Sequence, residues 1–400
     1  MTVKNEVQME DAPEEEVNFD VYPFLKERQT KAPQELRQFY VRFEELYDKK
    51  LWHQLTLALE DFVAQPTSAS HLFPLYEHFI RDWKSKMNKL SLVKFLTRAS
   101  KEISGPKEAL DFLAGQAKGL KATSRDAYVL AAMEKAHYEL IVQDLAACKK
   151  DIDECEKILD DLPVTEPVIN ASFYRVAADY YKAKMAYPQY YHNALLFLSS
   201  VSLDELSTLE KQERAYELAI SALLGEGVYN FGELLQHPIL DTLKGSGYDW
   251  LRQMLFCFNS GDMDAFEKIS RSGDFLKQPL LVNAVPFLRQ KLCLMTLIEA
   301  VFKRSKESRG KMTFGEISQE TRVLIDEVEH LVMKALSLSL IKGKIDEVDQ
   351  VVMVSWVQPR VLDKTQIGTI RDRLTEWSGK VKDRVLSLES EEGAAEMFLQ

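Results

Sequence analysis

Histidine and cysteine are the residues of this 400-residue chain that could hold a metal or act as nucleophiles, and their spacing decides whether they do. A metal hydrolase needs ligands at short fixed intervals, so that two imidazoles share one helical face or one turn. The closest histidine pair, His71 and His78, is interrupted by Phe73-Pro74, and there is no HExxH or HxH. Cys148 and Cys155 lie seven apart on one expected helix, while Cys257 and Cys293 sit among Leu, Met and Phe. No CxxC and no neighbouring histidine completes a ligand set, so these read as buried, reduced thiols. Catalytic residues, metal ligands and cofactor-binding residues are all expected to be absent.

The glycine-rich segment LLGEGVYNFGELLQHPIL, Leu223 to Leu240, raises a different chemistry. Backbone amides around Gly225, Gly227 and Gly232 could cradle a phosphate. The segment follows a helical pattern instead of a strand, lacks the lysine and Ser/Thr of a nucleotide loop, and carries Glu226 and Glu233. A packed interhelical turn fits better, with glycine supplying unusual backbone angles and Tyr229 and Phe231 pinning the turn to its neighbours.

The elements around these residues are mostly helical. Met1 to about Gln34 holds Glu10, Asp11, Glu14, Glu15 and Glu16 without helical periodicity and reads as a flexible acidic tail. From Glu35, residues Leu36, Phe39, Tyr40, Phe43 and Leu46 share a helical face, followed by Leu55, Leu59, Phe62 and Val63 on the next. Breaks at Gln65-Pro66, Gly105-Pro106, Thr123-Ser124, Leu162-Pro163, Tyr187-Pro188, Gly245-Ser246-Gly247 and Ser260-Gly261 leave segments suited to antiparallel helix pairs. The unit Asp126 to Asp161 predicts one such pair, broken at Gln143-Asp144. The repeat is loose, a degenerate form of tetratricopeptide-like solenoid.

Gly310 to Leu362 departs from this pattern and reads as two short helices and a hairpin, a winged helix. Thr313-x-x-Glu316 and Asp326-x-x-Glu329 predict capping boxes. Val328, Leu331, Val332, Ala335 and Leu336 predict a helix with one buried stripe, which Gly343 is expected to stop. Strands are expected over Lys344 to Val348 and Val351 to Val357, joined through Asp349-Gln350. Acids outnumber bases in this module, and three of them (Asp326, Glu327, Glu329) open the helix that would enter a DNA groove. With 51 Lys+Arg against 62 Asp+Glu, and a net charge of −11, the whole chain lacks a nucleic-acid footprint. The longest apolar run, Leu292 to Phe302, contains Glu299 and is too short to span a bilayer, and no signal-peptide core is present. An intracellular protein without membrane or nucleic-acid partners is expected.

After Leu362, residues Ile367, Ile370, Leu374, Trp377, Val381, Val385 and Leu388 recur with a mean spacing of about 3.5, the period of a coiled-coil seam. A helix from Asp363 to about Glu389 would extend roughly 40 Å. Its stripe is expected to join an intermolecular helical bundle; folding back on the chain's own repeats is the alternative. Val352, Val354 and Trp356 are assigned either to wing contact or to the small domain's core.

Helical repeats running into a winged helix, with a GDxxxF step at Gly261 to Phe266, resemble the PCI-domain family, named for the proteasome lid, the COP9 signalosome and an initiation factor. Leu46 to Val63, Gly225 to Pro238, Glu327 to Gln350 and Val357 to Asp363 are similar to corresponding segments of a proteasome lid subunit of that family. The likeness runs from Glu35 to about Lys382. It implies an all-α chain with a small α+β winged helix, divided into a tail (1–34), N-terminal helical repeats (35–190), a PCI domain (191–362, winged helix from 310) and a C-terminal bundle helix (363–400). It further implies a non-catalytic subunit of the 26S proteasome regulatory particle, placed in cytoplasm and nucleus and acting in assembly of a complex that degrades ubiquitinated proteins. The implied partners are other PCI-domain lid subunits, through the winged helix and the helix bundle, and other regulatory-particle subunits through the helical arm, in a hetero-oligomer. A scaffold of the COP9 signalosome or the initiation factor is the alternative within the family.

Overall fold

The computed structural model describes residues 21–103, 105–304, 311–359 and 364–397. The chain forms two compact units, one running to Tyr180 and the other from Tyr181.

The first unit is helical throughout its described residues: α1 (Val21–Lys31), α2 (Gln34–Asp48), α3 (Trp52–Ala64), α4 (Ala69–Leu75), α5 (Arg81–Trp83), α6 (Lys89–Ser100), α7 (Pro106–Leu120), α8 (Arg125–Val142), α9 (Leu145–Asp161) and most of α10 (Pro167–Ala183). The expected tail is too long: residues 21–31 form α1, and Val21 and Leu25 are buried in the same core as Leu36, Tyr40 and Phe43 of α2. Two apolar side chains one helical turn apart are enough to dock a helix whose remaining surface is polar, which is why composition alone read it as tail. The acidic cluster from Glu10 to Glu16 lies outside the described residues. Phe62 of α3 packs edge-on against Tyr40 and Phe43, and Phe43 stacks on Phe79. Pro74 cannot donate to the helical ladder, and the next turn, Tyr76–Ile80, is π-helical before α5 buries Trp83.

The α8–α9 pair forms where the break was expected. Gln143 takes the left-handed conformation that ends α8, and the Asp144 carboxylate accepts the Ala147 N–H at 3.0 Å to start α9. Ala127, Ala131, Ala132 and Ala136 are buried on α8, so its neighbours α7 and α9 approach closely. Between α8 and α9 the Lys135 ammonium is shared by two carboxylates, Asp151 at 2.6 Å and Glu139 at 3.3 Å. One Glu139 oxygen is buried without a hydrogen-bond partner. Burial first, then the Asp151 charge, raises the Glu139 pKa against the opposing pull of Lys135.

The second unit begins with the end of α10 and continues with α11 (Tyr187–Ser200), α12 (Thr208–Leu224), α13 (Gly232–Gln236), α14 (Asp249–Ser260), α15 (Met263–Ser270), α16 (Gly273–Leu276), α17 (Pro279–Asn283) and α18 (Val285–Lys303). The glycine-rich turn follows α12, and its anchor lies in the apolar run of α18. The Lys291 ammonium, 2% exposed as a residue, donates to the carbonyl oxygens of Ala222 at 2.7 Å, Leu223 at 3.1 Å and Gly225 at 2.8 Å. Three donors thus meet three acceptors at the negative end of α12. The rings of Tyr229 and Phe231 lie 5.6 and 5.3 Å from the same nitrogen, so both residues pin the turn as expected, with a cation between them. Burial pushes this ammonium down to about 7, whereas the carbonyls and rings favour its charged form.

The winged module comprises β1 (Met312–Thr313), α19 (Phe314–Thr321), α20 (Ile325–Ser337), β2 (Ile341–Asp346), β3 (Val351–Val357), and beyond it α21 (Lys364–Met397). The three strands form an antiparallel sheet in the order β1-β3-β2. Three local expectations are corrected. The helix expected from Asp326 starts at Ile325 with Leu324 at its cap and no side-chain cap bond, so Asp326 and Glu327 sit inside the first turn, where they complement the helix dipole. Gly343 does not stop that helix. The reversal occurs at Ser339, whose positive φ sends the chain into β2 three residues before the expected strand start at Lys344. Gly343 instead lies at a bulge in the β2–β3 register, where a Cβ would come within 2.2 Å of the Met353 carbonyl oxygen. The β1 strand was not expected, being only two residues long.

Two stability measurements follow from the buried charges. A carboxyl whose pKa is raised on folding contributes stability at low pH that is lost as the pH rises through the folded-state value. Glu139→Gln should therefore raise the thermal midpoint at neutral pH, and the gain over wild type should shrink as the pH falls towards the ordinary carboxyl range; a pH-independent difference would contradict this account. Lys291→Met keeps the volume but strands three carbonyl oxygens, and a loss of about 1–3 kcal/mol is expected from denaturant titration.

Candidate assembly surfaces

The winged helix is fastened to the helices before it by side chains on both sides of the GDxxxF step. Gly261 ends α14 in the left-handed region, and a Cβ there would lie 2.8 Å from the Thr296 Cα of α18. Only glycine permits that approach, and the Thr296 hydroxyl donates to the Gly261 carbonyl at 3.0 Å. Asp262 then caps α15 by accepting the Ala265 N–H, while Phe266 is buried edge-on to Phe258. Asp264 faces Arg322, which closes α19 in a left-handed conformation, and the two form a forked pair at 2.7 and 2.6 Å. Hydrogen bonds from Arg322, and then its charge, hold the Asp264 carboxyl below its usual range.

The expected capping box of α19 is present. The Glu316 N–H donates to the Thr313 hydroxyl at 3.3 Å, and the Thr313 N–H donates to the Glu316 carboxylate at 3.0 Å. Of the three wing residues singled out, Val352 and Val354 are 1% and 7% exposed and belong to the core, whereas Trp356 is 39% exposed. The Lys342 ammonium on the paired strand lies 4.9 Å from the Trp356 ring. The start of α20 carries exposed Asp326 and Glu327, a poor surface for phosphate.

Helix α21 covers 34 residues, roughly 51 Å at 1.5 Å per residue, with Leu362 and Asp363 outside the described residues. All seven seam residues, Ile367, Ile370, Leu374, Trp377, Val381, Val385 and Leu388, are between 39% and 64% exposed. Leu386, also half exposed, adds an apolar side chain that the seam reading leaves out. Glu376 and Lys380 pair one turn apart on the wet side, which supports the helix without covering the stripe. The four cysteines are free thiols, and all are buried. Sequence reading missed Arg322 and Lys291; the aspartate two residues into the GDxxxF helix and a lysine inside an apolar helical run were the available signals.

The family model of PSD13 N-terminal repeats matches residues 39–255, more than half of the chain. The chain belongs to the PSD13 family. The PCI domain model matches residues 263–356, from the first residue of α15 to Trp356 in β3. The probable 26S proteasome regulatory subunit rpn9 of Schizosaccharomyces pombe is 40% identical over 92% of the chain and 96% of its own length. The 26S proteasome non-ATPase regulatory subunit 13 homolog B of Arabidopsis thaliana is 39% identical over 91% of the chain and 96% of its length. The 26S proteasome regulatory subunit RPN9 of Saccharomyces cerevisiae is 38% identical over 91% and 95%. In this PSD13-family chain the helical-repeat match ends within α14, and the PCI match begins just past the Gly261–Asp262 step.

Because the Asp264–Arg322 pair is exposed, its contribution is directional more than stabilising. Asp264→Arg, which sets two arginines face to face, should lower the thermal midpoint, and the exchange Asp264→Arg with Arg322→Asp should recover it. An exchange variant as unstable as the single one would show that the pairing itself does not matter.

Proposed function

We propose that this chain is a non-catalytic structural subunit of the lid of the 26S proteasome regulatory particle, and that α21 is its principal attachment. The exposed seam of α21 carries the reading. Seven large apolar side chains at a 3.5-residue period stay open to solvent on a helix longer than the module it leaves, and such a stripe is stable in solution when other helices cover it. The named relatives match the chain over nearly its whole length, which makes the same assembly the natural source of those helices. Other PCI-domain lid subunits would supply the bundle and meet the winged helix near Trp356, and the helical arm would meet further regulatory-particle subunits. The chain would then work in cytoplasm and nucleus within the complex that degrades ubiquitinated proteins, contributing position and connectivity.

The test is a double substitution in the full-length chain. Leu374→Asp with Trp377→Asp puts two carboxylates into a seam where they would be desolvated without partners. Sedimentation of native lysate should show the variant released from the large complex, with its circular dichroism and thermal midpoint unchanged when purified. Normal co-purification of that variant with lid subunits would refute the seam assignment.

A further inference from the structure

We propose that a small apolar notch in the second unit is a docking site for a segment of a neighbouring subunit bearing one large aliphatic or aromatic side chain beside a lysine or arginine. This rests on the reading of the chain as an assembly subunit and adds a second attachment, away from α21. The notch encloses about 380 Å³. Its walls come from the turn before α11 (Met185), the first residue of α11 (Tyr187), the end of α12 (Leu224), α17 (Leu280) and the start of α18 (Phe287).

Three observations converge on a bound side chain. Apart from Glu226 and the Tyr187 hydroxyl, the side chains of the lining are apolar, and Met185 and Leu280 are 69% and 52% exposed at its rim. Large apolar groups gathered at a concave, solvent-facing site are the usual form of a binding hot spot, and methionine adapts readily to different partners. Met185 also holds a left-handed backbone at φ 55°, an uncommon conformation for a side chain of this kind. Glu226 is the single charged residue of the lining, and among the described residues no side chain bonds to it. Lys291, whose ammonium lies 5.9 Å from the ring of the lining residue Phe287, is committed to three carbonyl oxygens. An apolar notch with one uncompensated carboxylate at its edge selects an apolar anchor next to a base.

A larger groove of about 760 Å³ beside α14 and α15 offers no such selectivity, because its acids are engaged within the chain. Asp262 caps α15, and Glu299 pairs with Lys303 at 3.7 Å.

The experiment places the photo-crosslinking residue p-benzoylphenylalanine at position 280 of the full chain, expressed in cells with its complex, and identifies the crosslinked peptide by mass spectrometry. The expected product joins position 280 to one defined segment of another subunit, with a large apolar residue within two positions of a lysine or arginine. Glu226→Lys in the same chain should reduce that crosslink about tenfold, while co-purification through α21 persists. Crosslinks only within this chain, only to a second copy, only to a segment without a base, or to no protein at all would overturn the proposal, as would a yield indifferent to Glu226→Lys. Co-purification of the chain without the crosslinker is scored separately; its absence would remove the subunit reading and this site together, whereas a missing crosslink with association intact removes this site alone.

Discussion

A helix can bury an apolar stripe only against a surface with a matching period, and α21 carries a stripe whose seven residues all remain exposed in its own chain. Removing such side chains from water is worth on the order of 1.5–3 kcal/mol each before ordering is subtracted, so the constraint acts on the whole molecule. Under the proposed function, other helices would cover that stripe. The rest of the fold can be understood as a means of presenting that helix and the winged module before it at a fixed place.

Orientation at that junction is set by polar contacts and one close backbone approach, some buried and one at the surface. The Lys291 ammonium ties the end of α12 to α18, and Gly261 lets α14 close on Thr296 without an intervening Cβ. The Asp264–Arg322 fork continues the chain of fastenings into the turn between the two winged-module helices. Such contacts are individually modest, but each is geometrically exacting: one donor per acceptor, one permissible residue at the close approach, two parallel bonds in the fork. They fix orientation more than they add stability, and orientation is what an assembly subunit must supply to its neighbours.

Legibility differed by element for physical reasons. The breaks at Gly105-Pro106 and Gln143-Asp144 could be read because proline, glycine and a capping aspartate act locally, within three or four residues. The capping box at Thr313 was legible on the same ground, yet the similar spacing at Asp326 misled, since Leu324 takes the cap position, two residues before the expected cap. Gly343 misled for a related reason. Glycine both ends helices and admits a backbone neighbour in a strand, and only the approach of the Met353 carbonyl distinguishes the two. Helix α1 escaped notice because its two buried residues count for little until the Tyr40–Phe43 surface is there to receive them.

By itself, the sequence determined the helical repeats, the winged module, the acidic balance and the 3.5-residue stripe of α21, because each is written in residues close along the chain. Its likeness to PCI subunits lay in the same local runs. The tertiary structure decided which long-range partners those residues meet: Val352 and Val354 in the core but Trp356 at the surface, Lys291 beneath the glycine turn, Arg322 on Asp264, and Glu226 beside an open notch with no side-chain partner among the described residues. Spacing along a chain fixes which face a side chain shares. What lies opposite that face depends on residues tens of positions away, and only folding brings them there.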